Sequence, residues 1–230
     1  MGDTKARARL SVDLIILMII SFVVFGLYYA FKKDIFNYIT DTNNDVILRA
    51  LVTAGLHFCQ AGLPACIIMA FRKEKFSDYG LNSNKIMFSI AHSTLILLIY
   101  SVIIVIRGTW RLFYPFRIVT VPYELLSSPI YIMVIGMLIF TILSGFFEGF
   151  TYVYISKKLN ARWPAKNIFL SPGPIILSVV GFIMHSVTGV NGFEGSWPLL
   201  ILIYGLLLIY EKTGNAWGCV SIFCLIWNVL

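Results

Sequence analysis

The sequence predicts an all-α fold: a polytopic membrane helix bundle of about seven transmembrane helices, forming one membrane domain over residues 1–230. Three observations carry this expectation. First, 59% of the residues are hydrophobic and only 13% are charged. Soluble domains carry about 25% charged residues, so lipid must cover much of this surface. Second, the apolar residues come in long uninterrupted blocks, several of which reach the ~20 residues needed to cross ~30 Å of hydrocarbon. Third, the ~10-residue alternating segments of a transmembrane barrel are missing.

The blocks follow in order. The first, residues 11–31, has a basic leader and no small-residue cleavage site, and it ends in Tyr28-Tyr29-Ala30-Phe31-Lys32-Lys33. This pattern reads as a retained signal anchor. The second block is 46–71. A polar connection follows over 73–85 (KEKFSDYGLNSNK), then a third block over 86–106. Residues 107–126 mix three arginines with Trp110, Phe113, Tyr114 and Phe116. That mixture suits a segment in the headgroup layer; a soluble loop is the equal alternative. The fourth block is 127–155 and the fifth 168–190. Ser171-Pro172-Gly173-Pro174 interrupts the start of the fifth, so its helix is expected from as late as Pro174. Two shorter blocks, 196–210 and 214–230, are marginal in length.

A net charge of +7 would suit nucleic acid only if it were gathered on one soluble face. Here it follows the positive-inside rule. With seven spans, one side holds Lys5, Arg7 and Arg9, then Arg72, Lys73, Lys75 and Lys85, then Lys157, Lys158, Arg162 and Lys166, and finally Lys212. Only Lys32, Lys33, Arg49, Arg107, Arg111 and Arg117 remain for the other side. The expected topology is therefore N-terminus cytoplasmic and C-terminus opposite. The expected partners are membrane lipids and a membrane-associated peptide or protein, with no nucleic acid. Cys59, Cys66, Cys219 and Cys224 all lie in apolar blocks and read as packing residues.

Function in such a chain is sought at ionisable groups inside spans, because a buried charge costs at least ~2.5–3.5 kcal/mol on insertion scales. Of the 11 acids, Glu148 alone lies well inside a block. Thr141, Ser144, Thr151 and Tyr152 share its helical face at α-helical spacing. A carboxyl tuned by burial can act as a general base near neutral pH. His185 lies inside the fifth block, on a face with Ser178, Gly181 and Thr188. In the last block Trp217, Ser221, Cys224 and Asn228 share a face, where Asn228 can donate to a developing oxyanion. The second block carries the stripe Arg49, Thr53, His57, Gln60 and Pro64, read as bundle interior lining a cavity. His92 has no evident partner. No cofactor is expected. A metal held by Glu148, His185 and another histidine is a weak alternative, since neither HExxH nor CxxC spacing is present.

At these residues the chain resembles the CAAX-processing and bacteriocin-processing (CPBP, or Abi) endopeptidases. That family shows Glu-Glu-x-x-x-Arg on one span, Phe-x-x-x-His on the next and His-x-x-x-Asn on a later one. Here the matching stretches are Phe147-Glu148-Gly149 through Val153, Gly181 through His185, and Thr213-Gly214-Asn215-Ala216-Trp217 followed by Cys224 through Asn228. Asp78-Tyr79-Gly80-Leu81 is similar to a family segment before the core. The resemblance covers about residues 76–230. Gly149, Val153, Gly181 and Cys224 depart from the pattern, leaving Glu148, His185 and Asn228.

The resemblance implies an intramembrane protease, a peptidase and hydrolase in which Glu148 and His185 activate a water and Asn228 steadies the oxyanion. Tyr152, Cys224 and His57 are possible supporting residues. A thiol in an apolar span is a poor nucleophile. Two other readings stay open at this point: a catalytically impaired member acting as a membrane scaffold, binding or immunity protein, and a transporter with an intramembrane Glu148.

Overall fold

In the computed structural model, residues 2–108, 122–188 and 192–228 are described. All regular structure among them is helical. Four helices are long and apolar enough to cross a membrane, or five if one bent pair counts as a single span. Two further apolar helices are shorter, Pro172–Val187 and Trp217–Trp227. The expected all-helical bundle is therefore seen, with four or five helices of full membrane-crossing length and composition.

α1 (Gly2–Thr40) has 39 residues, about 58 Å at 1.5 Å per residue. It overshoots the expected 11–31 span at both ends. Asp45 then caps α2 (Val46–Ala61), its carboxylate accepting from the Ile47 and Leu48 N–H groups at 2.9 and 3.0 Å, which satisfies two of the orphan donors of the first turn. The block expected as one span breaks here. α2 and α3 (Leu63–Arg72) meet at 55°. Pro64 enters at the second position of α3, where its missing N–H is tolerated but the preceding helix cannot run on. A 3₁₀ turn, Phe76–Tyr79, leads into α4 (Ile86–Ile106). The headgroup-layer segment falls mostly on residues 109–121, outside the described residues.

α5 (Pro122–Ser127) and α6 (Ile130–Ile139) precede a π-helical stretch, Phe140–Phe146, which runs directly into α7 (Phe147–Arg162). A short 3₁₀ turn at Ile168–Leu170 leads to α8 (Pro172–Thr188), which starts two residues earlier than expected. α9 (Gly192–Ser196), α10 (Pro198–Thr213) and α11 (Trp217–Asn228) complete the chain.

The centre lies among α7, α10 and α11, where Phe150, Val153, Tyr154, Leu202, Leu206 and Ile222 are fully buried. In lipid such association rests on close packing, since the tails are as apolar as leucine. Close approach is built in at Gly145 and Gly149. A Cβ on Gly145 would sit 2.6 Å from Cys224 Cα, and one on Gly149 would sit 2.9 Å from Val220 Cα. This is a G-x-x-x-G contact that brings α7 and its π-helical lead-in backbone-to-backbone with α11.

Two stretches quoted for the resemblance are clipped together at one end of the bundle. Asn215 Nδ2 donates to the Asn82 and Asn84 carbonyls at 2.9 and 2.6 Å, and Ala216 N–H donates to Gly80 O at 2.9 Å. Gly80 has φ +90°, and a Cβ there would meet Gly214 O at 2.5 Å. Only glycine accommodates both demands.

Charged side chains tie α1 to its neighbours at two places, by ion pairs at one and by a hydrogen bond to its backbone at the other. At one, Asp13 is 1% exposed. It accepts from Arg72 Nε at 2.8 Å, the Arg72 terminal nitrogen at 2.6 Å and Lys158 Nζ at 2.8 Å. Lys158 also donates to Glu74 at 2.9 Å, as does the Tyr154 hydroxyl at 3.0 Å. Burial and the Glu74 carboxylate push the neighbouring Tyr79 phenol well above its ordinary range. At the other place, buried Arg49 donates to Ile39 O at 2.5 Å and to Glu124 at 3.1 Å.

Candidate functional site

Glu148 is the second residue of α7 and stands ten residues before Lys158, so it lies about 15 Å from the ion cluster along the helix axis. Its side chain is 8% exposed. Three groups from three other helices meet it. Trp227 of α11 donates its indole N–H to Oε2 at 2.7 Å. His57 of α2 places Nε2 3.6 Å from the same oxygen. His185 of α8 places Nε2 3.8 Å from the other oxygen, Oε1. Glu148 and His185 are thus brought together, as the sequence leads one to expect. Both imidazoles stand just beyond hydrogen-bond range.

These residues line a cavity of about 440 Å³ bounded by α1, α2, the start of α3, α7, α8 and the end of α11. Thr53, His57 and Gln60 of α2 and Pro64 of α3, four members of the second-block stripe, all face it. Arg49, the fifth, is taken by its ion pair with Glu124. α1 forms another wall with one stripe at three- and four-residue spacing: Leu17, Ser21, Phe25, Tyr28, Lys32, Ile35 and Ile39. Tyr152 also faces the cavity. Its ring stacks on Phe223 at 5.1 Å, and its hydroxyl lies 2.8 Å from where a Cβ on Gly181 would stand. Gly181 therefore makes room for Ile203 and Tyr152. Thr151 Oγ1 and His57 Nδ1 are buried there without a hydrogen-bond partner. Buried polar atoms of that kind are rare enough to need an explanation.

The other sequence candidates are placed elsewhere. Cys224 and Ser221 line a second groove of about 810 Å³, together with Trp217, Thr141 and Phe146. The Cys224 thiol donates to Thr141 O at 3.6 Å. Asn228 ends α11, and its side chain lies outside the described residues. Thr141 and Ser144 do not share the cavity with Glu148. The wider turn of the π-helix intervenes, so a face drawn at α-helical spacing does not carry across it. Position 149 abuts α11, and Val153 is buried in the core.

Trp227 is the site residue that sequence reasoning missed. An aromatic in an apolar span looks like packing, and only its place beside Asn228 hinted otherwise. The close approach of α11 had a legible signal in Gly145-x-x-x-Gly149. Among the described residues, no three His, Cys, Asp or Glu side chains converge closely enough to hold a metal ion.

The chain matches no protein-family model, no curated protein and no solved structure.

Proposed function

We propose that this chain is an intramembrane endopeptidase of the CAAX- and bacteriocin-processing type, which hydrolyses a peptide bond of a membrane-associated substrate. The observation that supports this reading is the facing of Glu148 Oε1 and His185 Nε2, 3.8 Å apart, on the wall of a cavity. A water about 2.8 Å from each fits at the apex of that triangle. Glu148 takes the water's proton as the oxygen bonds to the peptide carbonyl carbon. The tetrahedral intermediate then collapses with cleavage of the C–N bond, and the proton passes from Glu148 to the leaving amine. Asn228 is assigned to the oxyanion by resemblance. The same reading has all seven apolar segments crossing the membrane, with the N-terminus cytoplasmic and the C-terminus opposite.

The test is cleavage of a membrane-inserted peptide library by purified chain in proteoliposomes made in heavy-oxygen water. Wild type should release new carboxyl termini carrying the heavy oxygen, and Glu148→Ala and His185→Ala should release none. The same products from both variants would overturn the reading. A second reading, a membrane protein that binds such a peptide without cutting it, is favoured by the packing residues at positions 149 and 153. It predicts retention of library peptides by wild type and variants alike, with no new termini.

A further inference from the structure

His57 belongs to α2, outside the 76–230 stretch that carries the family resemblance, yet it reaches the same carboxylate as His185. The two oxygens of Glu148 are treated differently. Oε2 lies nearest two ring nitrogens, Trp227 Nε1 at 2.7 Å and His57 Nε2 at 3.6 Å, while Oε1 faces His185 Nε2 at 3.8 Å. The two rings on Oε2 also brace each other, with centroids 4.3 Å apart. Exposure follows the same division, with the His57 side chain 20% exposed and that of His185 43%. Among the described residues His57 Nδ1 has no hydrogen-bond partner, and Glu148 is the acid that the ring faces within ion-pair distance. Packing alone does not account for an imidazole in such a place, since an apolar ring would fill the space without stranding a nitrogen.

We propose that His57 is a positioning residue: its Nε2–H and the Trp227 indole hold Oε2, so that Oε1 is the oxygen left to work on the water facing His185. This rests on the hydrolase reading. The 3.6 Å separation closes to a hydrogen bond with a shift of a few tenths of an ångström, the kind of tightening that follows substrate binding. The site is thereby divided between a held oxygen and a working one, and α2 completes machinery otherwise built from α7, α8 and α11.

Two measurements test it. In the proteoliposome assay His57→Ala should lower kcat about 100-fold, the scale of a misplaced reacting group, with KM little changed. His57→Gln, which keeps an N–H donor at similar reach, should recover at least part of that loss. Wild-type kcat in His57→Ala, or no recovery in His57→Gln, overturns the proposal while the Glu148→Ala control keeps the hydrolase reading separate. The second readout needs no substrate. The chain has three histidines, so ring-nitrogen NMR resolves each. Glu148→Gln should shift the His57 and His185 signals and leave His92, which faces Phe88 O at 2.9 Å, unmoved. An unshifted His57 signal overturns the proposal whether or not any peptide is cut.

Discussion

Asp13 and Glu148 are both carboxylates buried inside long apolar helices, and they are treated in opposite ways. Asp13 receives three charge-assisted N–H bonds, all at 2.6–2.8 Å, from two cations on two other elements. Glu148 receives one bond at 2.7 Å, and its two imidazoles stop at 3.6 and 3.8 Å. A saturated buried charge locks neighbouring helices together, and removing one partner is costly. An under-coordinated charge beside a cavity keeps capacity for a water or a ligand. The contrast teaches that burial of an acid in a span does not by itself mark a site. What marks it is the unfilled coordination.

The largest expected effect tests that contrast from the Glu148 side. Glu148→Ala should cut hydrolysis by about 10⁴-fold, the upper range for a lost general base, while thermal unfolding in detergent changes little. A large loss of stability would show that Glu148 serves the fold instead. Lys158→Ala should do the reverse. It leaves Asp13 and Glu74 without their shared cation and should destabilise the bundle by about 3–5 kcal/mol, read as a lowered unfolding midpoint. Trp227→Phe sharpens the comparison by removing the one full hydrogen bond that Glu148 receives among the described residues. Its cost should be about 1.5–3 kcal/mol, appearing as a 10- to 100-fold drop in kcat. The smallest effect is expected at Gly149→Ala. The added methyl meets Val220 Cα and Phe223 Cβ at 2.9 and 3.2 Å, so α11 must give way at a cost of about 1–3 kcal/mol. Because α11 carries Trp227, kcat should fall with stability in this variant.

Much of this arrangement is legible in the sequence. The apolar blocks mark the helices because lipid demands unbroken runs, and the lone acid and the lone histidine of two adjacent blocks do meet. The second-block stripe faces a cavity, as its polar spacing suggests. Three features were not legible, each for a physical reason. The 55° bend at Gly62 lies in a run with no charge to betray it, and Pro64 is as compatible with a kinked span as with two helices. Asp13 sits at the edge of its block, where an acid is expected to reach water, and only the fold brings Arg72 and Lys158 over it. Trp227 reveals its role through one N–H direction, which depends on how α11 crosses α7.

The π-helical stretch has a consequence for how this chain tolerates change. It works as a one-residue phase shift between α6 and α7, and the downstream end is pinned through Lys158 to Asp13 and Glu74. Losing one residue along with the wide turn would leave the two halves in phase, whereas winding 140–146 as ordinary α-helix at the same length would turn them by about 100° against each other. Either α6 would have to swing out of register with α2 and α5, or Glu148 would leave its cavity. A sequence of the same length that lost the wide turn could keep Glu148 and still aim its carboxylate at the wrong neighbours.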